Sequence, residues 1–151
     1  MPQSHAGIYV HFIFSTRDRA PLLRESGLRS EMHRVLNGIS RDLNSEAIQI
    51  GGVEDHVHAL VRLNRTVSCS DWVKESKRRS SMWAKRRDPS LADFGWQSGF
   101  GAFSLSRGGI EATTHYILNQ EEHHRRVSFK EEYLSFLAEH EIEYDPRYIW
   151  E

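Results

Sequence analysis

Two periods of hydrophobic recurrence alternate along this chain, and the points where one gives way to the other divide it into predicted elements. Residues 6–15, AGIYVHFIFS, are β-branched and aromatic and run into the polar turn Thr16-Arg17-Asp18-Arg19, which predicts a strand. From residue 21 to about 42, Leu22, Leu28, Met32, Val35, Leu36 and Ile39 recur at three- and four-residue intervals with Pro21 in the first turn, the pattern of a helix. Strands are predicted over about 47–53 and over 56–63, joined as a hairpin by a turn near Glu54-Asp55. Residues 68–87 open with Ser and Asp as caps and space Trp72, Val73, Met82 and Trp83 among basic residues, predicting a second helix. A Pro- and Gly-containing loop over 89–101 leads to a fourth strand at about 100–105, and Ser106-Arg107-Gly108-Gly109 then breaks the chain. Helical spacing resumes from 110 to about 124, and again from 128 to 140, where Ser128-Phe129-Lys130-Glu131 has the form of a capping box.

The order strand, helix, strand, strand, helix, strand is that of an α+β, ferredoxin-like or RRM-like split βαβ sandwich, a four-stranded antiparallel sheet followed here by two further helices. One domain spanning residues 1–151 is expected from the length. No internal repeat or low-complexity segment is present.

Composition narrows the function classes. No stretch approaches the roughly 20 apolar residues of a membrane helix, and the N-terminus lacks the basic-then-apolar pattern of a secretory signal, so a soluble cytoplasmic protein is expected. The single cysteine, Cys69, excludes an internal disulfide and any multi-cysteine zinc site, which leaves the nine histidines as the metal ligands to weigh. A net charge of −1 argues against coating of nucleic acid through bulk positive charge. That average conceals a division, because residues 121–151 carry four basic and nine acidic residues while seven of the fourteen residues from Lys74 to Arg87 are Lys or Arg.

On a strand, side chains alternate, so His56 and His58 of Asp55-His56-Val57-His58 share one face and Val57 takes the other. Tyr116 and Gln120, four apart on a predicted helix, likewise share a face and would set a hydroxyl beside an amide oxygen. Either pair alone is as readily structural; the two together point to a metal site next to a nucleophile. Asp55 either orients a histidine or ends the turn, and His115, His123 and His124 read as solvated helix residues or phosphate contacts. Lys74, Lys77, Arg78 and Arg79, with Arg17 and Arg19 after the first strand, are the candidate DNA-phosphate contacts. Trp72, Trp83 and Trp96 could stack on unpaired bases, but their spacing fits core positions better.

These motifs in combination resemble the single-tyrosine His-hydrophobe-His transposases of the smallest bacterial insertion sequences, which include the repeat-associated tyrosine transposases. The resemblance extends to Phe14-Ser15-Thr16-Arg17-Asp18-Arg19, to residues 99–104 (GFGAFS), to residues 119–124 (NQEEHH) and to the tail over 145–150 (DPRYIW). It implies that His56, His58 and Gln120 hold a divalent ion, Mg²⁺ or Mn²⁺, and that Tyr116 attacks single-stranded DNA to leave a 5′-phosphotyrosine and a free 3′-hydroxyl. It further implies hairpin-bearing DNA ends, a homodimer in which a tyrosine helix can complete the partner's site, and a hinge role for Gly108-Gly109. Ala59 stands where the family carries a bulkier aliphatic residue.

Two alternatives stay open at this level. One is a domesticated nuclease of the same chemistry acting on repeated chromosomal hairpins. The other is a noncatalytic nucleic-acid-binding module, which would need Tyr9, Phe12 and Phe14 exposed on the sheet.

Overall fold

The computed structural model describes residues 2–151. The four predicted strands form as β1 (Tyr9–Ser15), β2 (Glu46–Gly52), β3 (His56–Arg62) and β4 (Gly101–Leu105), all within a residue or a few of the expected bounds. They hydrogen-bond in the order β2-β3-β1-β4, and each neighbouring pair is antiparallel. That order is the ferredoxin-like sheet, with the two central strands supplied by β1 and β3.

Strand parity then sorts the side chains into two layers. The pairs Phe14 with Val57, Phe12 with Ala59 and Val10 with Val61 lie on one face, in the larger hydrophobic cluster. Against them pack Leu28, Met32, Leu36 and Ile39 of α1 (Ser26–Asp42) and Trp72, Val73 and Ala84 of α2 (Cys69–Arg87). Trp72 stacks on Phe12 with ring centroids 4.3 Å apart, and its indole nitrogen donates to Ser40 Oγ at 3.0 Å. Trp96 is buried too and donates to Ser80 Oγ at 2.9 Å. Neither tryptophan is presented to solvent, and burial of Phe12 and Phe14 removes the aromatic platform that a noncatalytic binding module would need. Each such large side chain contributes about 2 kcal/mol through burial. Ala59 is fully buried in the same layer.

α1 begins later than Pro21 predicts. Glu25 is its N-cap, accepting from the backbone N–H groups of Gly27 and Leu28 at 2.8 and 2.7 Å, and this local satisfaction of helix-end donors outcompetes a start at Pro21. Ser68 caps α2 by accepting from Asp71 N.

The opposite face of the sheet is covered by α3 (Ile110–Leu118), α4 (Gln120–His123) and α5 (Phe129–Glu139), with a smaller cluster formed by Ile13, Phe103, Phe129 and Leu137. The single helix expected over 110–124 is broken at Asn119, whose backbone (φ −99°, ψ 23°) leaves the helical region. The capping box at Ser128 and Glu131 forms as the sequence predicts. Gly108 and Gly109 belong to a 3₁₀ turn that leads directly into α3. No helix among the described residues is long and apolar enough to cross a membrane.

His33, on α1, has a buried Nε2 without a hydrogen-bond partner, and burial, reinforced by Arg29, lowers its pKa from 6.5 to about 4. Between those values the unfolded chain binds a proton that the folded chain does not, so stability rises with pH across this window and is lost on acidification. Comparing denaturant unfolding at pH 7 and pH 5, we expect His33→Leu to remove about 2 kcal/mol of the acid-induced loss. An unchanged pH dependence in the variant would show that His33 does not carry it.

Candidate metal and nucleophile site

The register of the sheet brings Ser15 opposite His56, Ile13 opposite His58 and His11 opposite Leu60, all on the face that carries α3 to α5. His56 and His58 are both fully buried there. Asp55 Oδ1 lies 2.8 Å from His56 Nδ1, and His11 Nε2 lies 2.8 Å from His58 Nδ1. With both Nδ1 atoms engaged, the two Nε2 atoms are turned toward one point. Such anchoring of the remote ring nitrogen is how proteins fix a metal-binding imidazole. Asp55 therefore does more than end the turn.

Glu132 stands at that point. It projects from the first turn of α5, is 3% exposed, and gathers partners from β3, α3 and α4 with its C-cap. Its carboxylate accepts from the Tyr116 hydroxyl and lies 2.9 Å from His58 Nε2, 3.0 Å from His123 Nε2 and 3.3 Å from His124 Nε2. His56 Nε2 is 3.5 Å away. Gln120, 1% exposed, directs its Oε1 to His56 Nε2 (3.3 Å) and His124 Nε2 (2.9 Å) and its amide nitrogen to Glu132 (3.3 Å). The ring of His124 is anchored like the others, with Nδ1 donating to the carbonyl of Val127 at 2.8 Å.

Electrostatics follow from this crowding. Burial opposes charge on His56, but hydrogen bonds to Asp55 and Glu132 outweigh it and raise its pKa to about 9. Burial prevails at His58, lowering it to about 4, and at His11, where the neighbouring His58 adds to it and the value falls to about 3. Burial would raise Glu132, yet hydrogen bonds from His124, His56 and His58 hold it well below the ordinary carboxylate range. Tyr116 is pushed above its ordinary value by burial and by the adjacent Glu132 carboxylate. Among His11, His56 and His58, then, only His56 carries a positive charge at neutral pH, and the phenol is neutral.

A close approach of backbone to backbone positions Tyr116. A Cβ at Gly51, on β2 opposite His58, would lie 2.7 Å from the carbonyl oxygen of Ile117 and 2.8 Å from its Cγ2, so only glycine lets α3 lie this close to the sheet. Tyr116 is thereby brought to the histidines of its own chain, and its hydroxyl also lies 3.2 Å from His123 Nε2. A cavity of about 430 Å³ opens beside it, lined by His11, Thr113, Tyr116, His123, Glu132 and Phe136 among others.

The structure thus gathers His56, His58, Gln120 and Tyr116, although Tyr116 and Gln120 reach the site from two helices separated by a kink rather than from one. His123 and His124 are site residues, not solvated helix positions; His115 is exposed. Glu132 and His11 escape the sequence reading. Glu132 does leave a trace, as a charged residue within the apolar stripe of Phe129, Tyr133, Phe136 and Leu137.

The basic candidates divide. Arg17 and Arg19 belong to a 3₁₀ turn that follows β1, where Thr16 N donates to Asp55 O at 2.9 Å beside the site. Arg19 lies 5.9 Å over the ring of Trp150, at a cleft of about 420 Å³ that Phe100, Phe129 and Tyr133 also line. Lys74, Lys77, Arg78 and Arg79 lie on α2, across the sheet from the histidines. Lys77 donates to the carbonyls of Gln97 (2.7 Å) and Gly99 (2.5 Å), while Arg79 pairs with Asp42 and Arg78 with Glu75.

The donor set fits a divalent ion. His56, His58, His124 and Glu132 can each present one ligand atom within 4.8 Å of the others, with Gln120 Oε1 among them.

Comparison with known proteins gives a consistent picture. A sequence model described as "Transposase IS200 like" matches residues 4–120. No curated protein matches the chain. Two solved structures have the same fold. One, of a candidate transposase from Deinococcus radiodurans R1, is 20% identical with a TM-score of 0.61, covering 80% of this chain and 98% of that one. The other, of a REP-associated tyrosine transposase bound to a REP hairpin, is 16% identical with a TM-score of 0.60, covering 84% and 76%.

Proposed function

The chain belongs to the IS200-like transposase family, and from that premise we propose that it nicks and rejoins single-stranded DNA with Tyr116 as nucleophile and His56, His58 and Gln120 as ligands of a divalent ion. One observation carries the reading. Within one chain, the Tyr116 hydroxyl, two imidazoles with anchored Nδ1 atoms and the Gln120 side chain converge on a single buried point.

In the proposed reaction the Tyr116 oxygen attacks a backbone phosphorus, the P–O3′ bond breaks, and the products are a 5′-phosphotyrosine and a DNA strand ending in a 3′-hydroxyl. The Glu132 carboxylate, already accepting the phenol's hydrogen bond, is placed to receive its proton; the departing 3′-oxygen takes up a proton in turn. A bound divalent ion would supply positive charge to the scissile phosphate. Asp55 and His11 hold the two imidazoles in one tautomer and orientation. Because the phosphotyrosine retains a phosphodiester linkage, attack by a second 3′-hydroxyl rejoins strands without a nucleotide cofactor.

The substrate class we propose is single-stranded DNA carrying a hairpin, supported by the fold shared with the hairpin-bound transposase. Arg17 and Arg19 would neutralise phosphates at the strand's approach, with Trp150 and Tyr133 available for base stacking in the adjoining cleft. On α2, Lys74 and Arg78 are the residues with the most freedom to contact DNA, and their contacts would lie on the far face of the sheet. A homodimer would serve to exchange strands between two DNA ends.

The test is to mix the protein with hairpin-bearing single-stranded oligonucleotides and Mn²⁺, and to look for a covalent protein–DNA band on a denaturing gel. The band should disappear with a chelator and return when Mn²⁺ is restored. Cleavage without a covalent intermediate, or an adduct indifferent to chelation, would contradict the proposal.

A further inference from the structure

We infer that His124 and Glu132 are also ligands, completing with His56, His58 and Gln120 a three-nitrogen, two-oxygen site that selects a first-row transition ion over Mg²⁺. This rests on the metal-dependent reading above and extends it to residues beyond the 4–120 segment that the family match covers.

A carbonyl can only accept, so the 2.8 Å contact with Val127 O puts the hydrogen of the neutral His124 ring on Nδ1 and leaves Nε2 with a bare lone pair. That lone pair faces Gln120 Oε1 at 2.9 Å and Glu132 Oε2 at 3.3 Å. At His56 Asp55 likewise takes Nδ1, so Nε2, which faces Gln120 Oε1 at 3.3 Å and Glu132 Oε1 at 3.5 Å, becomes a lone-pair donor once a metal ion displaces its proton. His58 Nε2 adds a third ring nitrogen, 2.9 Å from Glu132 Oε1. Electron-pair donors gathered this closely in a buried place, the four ligand atoms of His56, His58, His124 and Glu132 lying within 4.8 Å of one another, need positive charge among them, supplied by protons or by a metal ion. A single proton satisfies one such contact, whereas a divalent ion satisfies all of them together.

The chemistry of the donors selects the ion. Three imidazoles with one carboxylate and one amide oxygen suit Mn²⁺, Co²⁺ or Zn²⁺, while Mg²⁺ takes oxygen ligands almost alone and parts reluctantly with water. Glu132 then joins the two halves of the site, since Oε1 faces His56 and His58 while Oε2, which faces His124, accepts from Tyr116. Metal binding would in this way draw α5 and the nucleophile onto β3 together.

Co²⁺ serves as the probe, because its visible absorption reports the number and type of ligands, alongside calorimetric titration with Mn²⁺ and Mg²⁺. The wild type should bind Mn²⁺ and Co²⁺ at least about tenfold more tightly than Mg²⁺. His124→Gln and Glu132→Gln should each weaken binding by about ten- to a hundredfold and alter the Co²⁺ spectrum. Glu132→Ala is the second variant at that position, in case the glutamine oxygen itself ligates; circular dichroism establishes that each variant is folded. If the folded variants keep the wild-type affinity and spectrum while His56→Ala loses binding, His124 and Glu132 are not ligands and the smaller set stands. Equal affinity for Mg²⁺ and Mn²⁺ would overturn the selectivity. If His56→Ala also binds as the wild type does, the metal-centred reading itself fails, and this inference with it.

Discussion

Tyr116→Phe is expected to abolish covalent capture of DNA, lowering the rate of adduct formation at least about a thousandfold, while hairpin DNA and Mn²⁺ still bind. The substitution removes one oxygen and leaves the ring where it packs, near His11, His58 and Phe136. Its structural cost is small, about 1 kcal/mol for one hydrogen bond, because Glu132 keeps its contacts with His58, His123 and Gln120 and is not left unpaired. The variant therefore separates chemistry from folding. A denaturing gel with radiolabelled hairpin DNA reads the adduct, and fluorescence anisotropy reads binding. An adduct that persists in the variant would move the nucleophile to another residue.

Gly51→Val should leave the sheet in place and yet cost about a hundredfold in adduct formation. Valine suits a β-strand, so β2 itself tolerates it. Its Cβ, however, would meet the carbonyl oxygen and Cγ2 of Ile117 well inside contact distance. Neither can yield without moving α3, because one is helix backbone and the other belongs to a residue 1% exposed. Tyr116 is the next residue along, so the hydroxyl leaves Glu132 when α3 moves. Adduct rates together with thermal melting of the free protein test this. A rate within threefold of wild type would mean that contact with β2 does not hold Tyr116 in position.

The same contact illustrates how far a one-dimensional reading reaches. Strand parity is a local covalent property, so the chain alone announces that His56 and His58 share a face and that Val57 joins the core. The apolar rhythms of α1 and α2 and the capping box of α5 are equally local, and they place those elements to within a few residues. The spacing of Tyr116 and Gln120 was legible as a pair; the kink at Asn119 between them was not, because no proline or glycine marks it and tertiary packing overrides the intrinsic helical preference.

What the sequence by itself determined, then, is the order of the elements and the face that each strand residue occupies, since both depend on neighbours a few bonds away. Which elements meet was decided by the tertiary structure alone. Sheet register sets His11 against His58; the packing of α5 inserts Glu132 among four imidazoles and a phenol; and the sandwich places the Lys- and Arg-rich α2 on the face away from them. The contacts of His11 with His58 and of Glu132 with the two β3 histidines join residues 47 to 76 positions apart, and their geometry comes from burial of the whole apolar surface rather than from any local preference.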